Sequence, residues 1–261
     1  MRGRLKACDL SRSLNISLIF IGPWMLYVAF AVAQARFDIR SIAVNLAWPF
    51  LFFYFLACLL KRVGTSSEPV IRQRDAWVVI AVLVAVDHLF KFAISHMIPL
   101  GGSVPVVAKH LHLANVHNVH GSFWLAKLGA PRVVSPVLVF SVLSIALAPL
   151  LFRFYSARHR KSFWSVLAYC CFMAGTASAA IDLGVRGFTV DYLELPRLFV
   201  ADLKDIYLDL FVSAFFVEVL SNPRISMRWL GWRAELRELP CLAIEIVKFV
   251  VGETRRFGRN V

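Results

Sequence analysis

The residues of this sequence that could do chemistry are carboxylates standing in or beside long apolar runs: Asp87, Asp182, Asp191, Asp202, Asp205, Asp209 and Glu218. An ionised carboxylate in hydrocarbon costs on the order of a few kcal/mol, so acids in such places usually face a polar cavity and mark a functional site. Two acids held close cannot both ionise cheaply. One then keeps a proton while the other is an anion, which is the division of labour that acid–base catalysis needs. Asp202, Asp205 and Asp209 fall at i, i+3 and i+7, along one face of a helix. A plainer reading covers the first two, since the dipole at a helix N-terminus favours anions; it does not reach Asp209. Asp87 and Lys91 stand at i and i+4 with the acid first, the order that favours an ion pair. That pair either neutralises itself in the membrane or lies beside a substrate.

The histidines offer a competing constellation. Six of the seven lie between positions 88 and 120: His88, His96, His110, His112, His117 and His120. His110 and His112 would share a strand face, a spacing used by zinc sites. No cysteine or carboxylate lies among the last four, however, so interfacial histidines with their polar tips toward water are preferred. Cysteines 8, 58, 170, 171 and 241 form no metal or disulfide pattern. Cys170 and Cys171 are adjacent, point in different directions and read as small buried hydrophobes. Neither a metal nor any other cofactor is expected.

The elements that must position these acids are helices in a bilayer. Apolar residues make up 59% of the 261-residue chain and charged residues 17%. The charges gather in clusters between apolar runs of about 20 residues, the length a helix needs to cross hydrocarbon. The runs are Leu14 to Ala35, Ser41 to Leu60, Ala76 to Leu100, Val133 to Phe152, Phe163 to Asp182 and Asp202 to Leu220. The first is too long for a signal-peptide core and reads as a retained span. Gly22-Pro23 and Pro49 mark bends, and Trp24, Trp48 and Trp77 read as interfacial or packing aromatics.

Between the runs, residues 61–75 read as a loop through Gly64 and Pro69. Residues 101–130, β-branched and aromatic with partial alternation, read as short strands at the membrane surface. Gly184 to Ala201 reads as a loop. The tail after Asn222 is basic, with Trp229 and Trp232 near its start. Its apolar piece, Cys241 to Val251, is too short to span and suggests an interfacial helix.

With the N-terminus in the cytoplasm, segments 1–12, 61–75, 153–162 and 221–261 hold 20 of the 29 Lys and Arg. Six spans with both termini inside satisfy the positive-inside rule. The net charge of +13 is therefore topological. It is not interleaved with aromatics on a polar face, which excludes a nucleic-acid groove. This topology puts segments 101–130 and 182–202 together on the outer side.

On these residues the sequence resembles signal peptidase II, the lipoprotein signal peptidase of bacteria, over residues 76 to 220. Asp87-His-Leu-Phe-Lys91 resembles the family's Asp-x-x-x-Lys box. His112 to Phe123 resembles its Asn-x-Gly-Ala-Ala-Phe segment, with Asn118, Ser122 and Phe123 in register and His120 in place of the glycine. Asp182 matches the acid of Gly-Asn-x-x-Asp-Arg, Thr189-Val190-Asp191-Tyr192 matches Val-Val-Asp-Phe, and Phe199-Val200-Ala201-Asp202 resembles Phe-Asn-x-Ala-Asp.

The resemblance implies a four-helix domain over 76–220 with a small extracytoplasmic β-cradle, within an all-α polytopic membrane protein of about six transmembrane helices. Residues 1–75 would add two N-terminal spans and a cytoplasmic loop, and residues 221–261 a basic cytoplasmic tail. The implied activity is that of an aspartyl endopeptidase cutting lipid-modified prolipoproteins before the diacylglyceryl-cysteine. Asp191 and Asp202 would be the catalytic pair, with Asp87, Lys91, Asn118, Phe123 and Asp182 binding substrate or supporting the pair. The implied partners are prolipoprotein signal peptides and membrane lipid. The implied place is the bacterial cytoplasmic (inner) membrane, with the site at its outer face.

The sequence also departs from the family. Ala179 stands for the Asn and Leu183 for the Arg of Gly-Asn-x-x-Asp-Arg, and Phe199 stands for the Asn of Phe-Asn-x-Ala-Asp. The gap from Asp191 to Asp202 is shorter than in typical members. These departures keep three alternatives open: Asp205 as the second acid, a pseudoenzyme that binds lipoprotein signal helices without cutting them, and a small transporter using the Asp202 face. The last is disfavoured because the acids gather near one end of the bundle.

Overall fold

The computed structural model describes residues 16–26, 39–66, 73–107, 110–119, 134–159, 161–196 and 199–221, with tail positions 244, 245, 248, 249 and 252. Phe123, His120, Ser122, Cys8, Cys241, Trp229, Trp232 and most of the expected tail helix lie outside the described residues, as does the side chain of Trp48.

The helices are α1 (Ile16–Leu26), α2 (Ile39–Ser66), α3 (Gln73–Met97), α4 (Val134–Arg158), α5 (Phe163–Ile181) and α6 (Leu203–Ser221). Among the described residues, three stretches are long and apolar enough to cross a membrane: Arg74–Met97, Pro136–Arg158 and Phe163–Arg186. Helix α6 has 19 residues, about 28 Å at the α-helical rise, but it carries Lys204, Asp205, Asp209 and Glu218. The outward faces of α3 and α4 expose Val78, Val82, Leu89, Phe92, Phe140, Leu143, Leu147 and Leu151. An apolar surface of that kind would drive association in water and suits lipid.

Helix α5 is central because its sequence lets neighbours come close. One face carries Val166, Tyr169, Cys170 and Met173 against Ala76 and Ile80 of α3 and Ala148 of α4. Cys171 and Ala174 point the other way, toward Tyr207 of α6. Gly175 marks a tight approach to α6: a Cβ there would stand 2.8 Å from Leu208 Cδ2. Small residues at such a crossing let membrane helices pack backbone to backbone. Ser162 begins α5 through a capping box, its Oγ accepting from the Ser165 N–H while its own N–H donates to Ser165 Oγ. At the same end, Glu218 of α6 accepts from the Tyr155 and Ser162 hydroxyls. This gives the acid on the last span a structural place.

Helices α1 and α2 pack against this bundle. Phe20 and Ala57 bury Val217 of α6, while Trp24 and Phe53 form a cluster with Leu195 and Phe199.

Two expectations about loops are corrected. Helix α2 continues to Ser66 and α3 begins at Gln73, so the link between them is shorter than 61–75. The segment Gly184–Ala201 is mostly not a loop. It contains strands β3 (Thr189–Leu195) and β4 (Phe199–Ala201), which join β1 (Ser103–Val107) and β2 (Leu111–Asn118) in an antiparallel sheet of order β1-β2-β3-β4. The alternation in Thr-Val-Asp-Tyr-Leu-Glu-Leu is a strand pattern. Two of its three polar positions, Asp191 and Glu194, are acids, which are common in loops. A bulge between Leu113 and Val116 turns Asn115 toward α3, where its side-chain amide donates to the Ile98 carbonyl at 2.8 Å. The sheet is thereby tied to the end of the helix that carries Asp87 and Lys91.

Candidate active site

Three elements converge at one end of the bundle. Asp87 and Lys91 lie one turn apart on α3. Helix α5 ends in a π-turn, Asp182–Arg186, closed by Gly187 at φ 73°, a left-handed conformation that glycine adopts without steric cost. This turn delivers Asp182. The β3–β4 hairpin delivers the other two acids. Because Leu193 pairs with Ala201, the next residue, Asp202, is brought back to the Asp191–Tyr192 part of β3, and oxygens of Asp191 and Asp202 come within 4.8 Å. Eleven residues of sequence separation are folded back into proximity by that register.

Lys91 is the hub. Its Nζ lies 2.6 Å from Asp87 Oδ2, 2.5 Å from Asp182 Oδ2 and 2.8 Å from Asp202 Oδ2, and all four side chains are fully buried. The reading of Asp87–Lys91 as a self-contained pair is therefore incomplete, since one ammonium bridges three acids from three elements. Arg186 Nη1 and His88 Nδ1 approach the other oxygen of Asp182 at 3.6 and 3.8 Å. The Tyr192 hydroxyl donates to Asp87 Oδ1 at 3.4 Å and accepts from the Leu203 N–H at 3.3 Å, fixing the hairpin to α6.

Asp191 is held by neutral donors, the Asn118 amide at 2.9 Å on Oδ2 and the Thr189 hydroxyl at 3.0 Å on Oδ1. Asp202 is held by cations and backbone. Its Oδ2 meets Lys91 and also Lys204 at 2.7 Å, and its Oδ1 accepts from the Asp205 N–H at 3.1 Å. Asp205 accepts in return from the Asp202 N–H at 3.4 Å, so these two acids cap α6 as the dipole argument expects. Oxygens of Asp191, Asp202 and Asp205 lie within 4.8 Å of one another. Asp209 is not among them.

The two acids of the proposed pair differ electrostatically. Burial pushes Asp191 up to about 7, against the pull of Lys204. Burial alone would raise Asp202 as well, but the ammonium groups of Lys204 and Lys91 outweigh it and hold Asp202 below its ordinary value. One carboxyl is thus disposed to carry a proton and its neighbour to stay an anion.

Lys204, Thr189 and Tyr192 are what sequence reasoning misses. Lys204 is almost wholly buried, with its Nζ also 3.4 Å from Asp205 Oδ1 and 4.0 Å from Asp191 Oδ1. The available signal was a lysine placed between two acids at the start of a span. Among the family departures, Leu183 is buried while Arg186, one turn later, reaches the Asp182 carboxylate. Phe199 packs against Trp24 with ring centroids 5.3 Å apart. Two carboxylate triplets, Asp87–Asp182–Asp202 and Asp191–Asp202–Asp205, are close enough to hold a cation, and a lysine ammonium stands at each. His112 Nδ1 lies 3.6 Å from Glu194 and His117 stacks on Phe188.

The family model described as signal peptidase (SPase) II matches residues 79–221. A lipoprotein signal peptidase from Fusobacterium nucleatum is 27% identical over 139 residues, covering 52% of this chain and 81% of that protein. Two solved structures, described as bacterial membrane enzymes determined in meso, match at TM-scores of 0.46 and 0.48 with 17% and 15% identity. Each covers 57% of this chain, and 89% and 95% of their own chains are covered.

Proposed function

The chain belongs to the signal peptidase II family, and from that premise we propose that it is a membrane aspartyl endopeptidase that removes signal peptides from lipid-modified prolipoproteins. The observation that carries the reading is the buried pair Asp191–Asp202, with oxygens within 4.8 Å and unlike hydrogen-bond environments. In the proposed reaction, water attacks the carbonyl carbon preceding the lipidated cysteine and gives a proton to Asp202. Asp191 gives its proton to the carbonyl oxygen. The resulting diol collapses, the C–N bond breaks, and the proton on Asp202 goes to the leaving amine. Asp191 recovers a proton from the hydroxyl that becomes the new carboxyl group.

The proposal includes six spans, both termini in the cytoplasm and the site at the outer face of the inner membrane. It includes the division into 1–75, 76–220 and 221–261. The contacts of Phe20, Trp24 and Phe53 on α6 and the hairpin support α1 and α2 as part of the working unit. One observation favours a second reading, a member that binds lipoprotein signal helices without cutting: both oxygens of Asp202 are already engaged.

Complementation separates the two. In a strain depleted of its lipoprotein signal peptidase, the parent should restore processing, while Asp191→Asn and Asp202→Asn should each lose it by about a hundredfold or more. No processing by the parent leaves the binding reading.

A further inference from the structure

The placement of Lys204 has a catalytic consequence beyond burial. Its ammonium meets the two acids unequally, 2.7 Å from Asp202 Oδ2 and 4.0 Å from Asp191 Oδ1. Lys91 adds a second ammonium to the same Asp202 oxygen at 2.8 Å. Among the described residues, the donors at hydrogen-bond distance from Asp191 are the neutral Asn118 and Thr189. A carboxylate between two ammonium groups holds its charge, whereas one bonded to neutral groups can release or bind a proton at modest cost.

We propose that Lys204 is a positioning residue that assigns the roles in the pair, keeping Asp202 as the anion that receives the proton of water and leaving Asp191 as the acid. This deepens the peptidase reading above and rests on it. Lys204 lies two residues beyond the end of the Phe199–Asp202 box. Lys204 also reaches Asp205 Oδ1 at 3.4 Å, and it thereby neutralises the acid that otherwise competes for the role of second carboxylate.

Every charged group that faces the pair among the described residues enters the expected pH behaviour. From α3 these are Asp87, Lys91 and His88; from the π-turn, Asp182 and Arg186; from β3, Asp191 and Tyr192; and from α6 and its cap, Asp202, Lys204 and Asp205. The neutral donors Asn118 and Thr189 complete the shell. Removing the Lys204 charge raises the proton affinity of both acids, because an opposite charge is lost beside each. The interval in which Asp202 is an anion and Asp191 is protonated must then move to higher pH.

The test is the pH profile of kcat/KM for the full-length detergent-solubilised protein, using a synthetic signal peptide with a diacylglyceryl-cysteine and a fluorophore–quencher pair. In the parent the alkaline limb should lie near about 7, and the acid limb below the ordinary carboxylate value of about 4. In Lys204→Met both limbs should move to higher pH by about one to three units, and Lys204→Arg should return them. A structural role alone would lower the rate and leave the limbs in place, which overturns the inference. A uniform gain in rate with unmoved limbs, the signature of a lysine that merely obstructs water, also overturns it. If Lys204→Met does not accumulate, the parent decides: an acid limb above about 5 shows that Asp202 is not held as an anion. Failure of the peptidase reading looks different, since the parent then cleaves at no pH, and this inference falls with it.

Discussion

Replacing Lys91 by Met tests whether one ammonium neutralises three acids. The substitution keeps the length of the apolar stem and removes the charge, leaving Asp87, Asp182 and Asp202 buried around it. Removing one partner of a buried ion pair costs about 3–5 kcal/mol. An independent route gives the same size. If one carboxylate of ordinary pKa near 3.9 must take up a proton at pH 7, the cost is about 3 pH units at 1.36 kcal/mol each, or about 4 kcal/mol. The variant's folded state then binds one proton that its unfolded state lacks above about pH 4, so its stability falls as pH rises. At pH 5 the same step costs about 1.5 kcal/mol. Thermal unfolding in detergent, followed by tryptophan fluorescence, should therefore place Lys91→Met about 8–16 °C below the parent at pH 7 and much closer to it at pH 5. A midpoint unchanged at pH 7, or a deficit that does not shrink on acidification, would refute the reasoning.

Asn118→Leu should lower kcat about tenfold or more, because it removes a hydrogen bond to a group that changes charge during turnover. It should also move the alkaline limb of the pH profile above about 7, since the Asn118 amide favours the Asp191 anion; the peptide cleavage assay reads both. Gly175→Val should destabilise the protein by about 1–3 kcal/mol, because a Cβ there meets Leu208 Cδ2 at 2.8 Å. The double variant with Leu208→Ala should regain part of the lost unfolding temperature, and no such rescue would show that this crossing is not the tight contact.

Much of the arrangement was legible because it is local or repeats along the chain. The apolar runs that became α3, α4 and α5 announced themselves by length and by the lack of charge. The i, i+4 spacing of Asp87 and Lys91 places them together on any helix. The capping role of Asp202 and Asp205 followed from their place at the start of a span. The strand at Thr189–Leu195 was concealed because two of its three polar positions are acids, which are common in loops, and Phe199–Ala201 because three residues are too few to show a period. Asp209 has no role that either sequence or structure supplies.

By itself the sequence determined that this chain is made for lipid, that its acids are too many and too apolar in their surroundings to be incidental, and that their order resembles one family of peptidases. Those conclusions depend on composition, run length and spacing, which a linear text carries in full. Only the tertiary structure decided which acid meets which cation. Asp182 and Lys91 are 91 residues apart in sequence yet 2.5 Å apart in space, and no periodicity encodes that contact. Lys204 looked like one more basic residue at a helix end until the hairpin register brought Asp191 within 4.0 Å of an ammonium that already met Asp202. The difference in proton affinity between those two carboxyls arises from distances to charges on other elements, and Coulomb energy depends on separation in space.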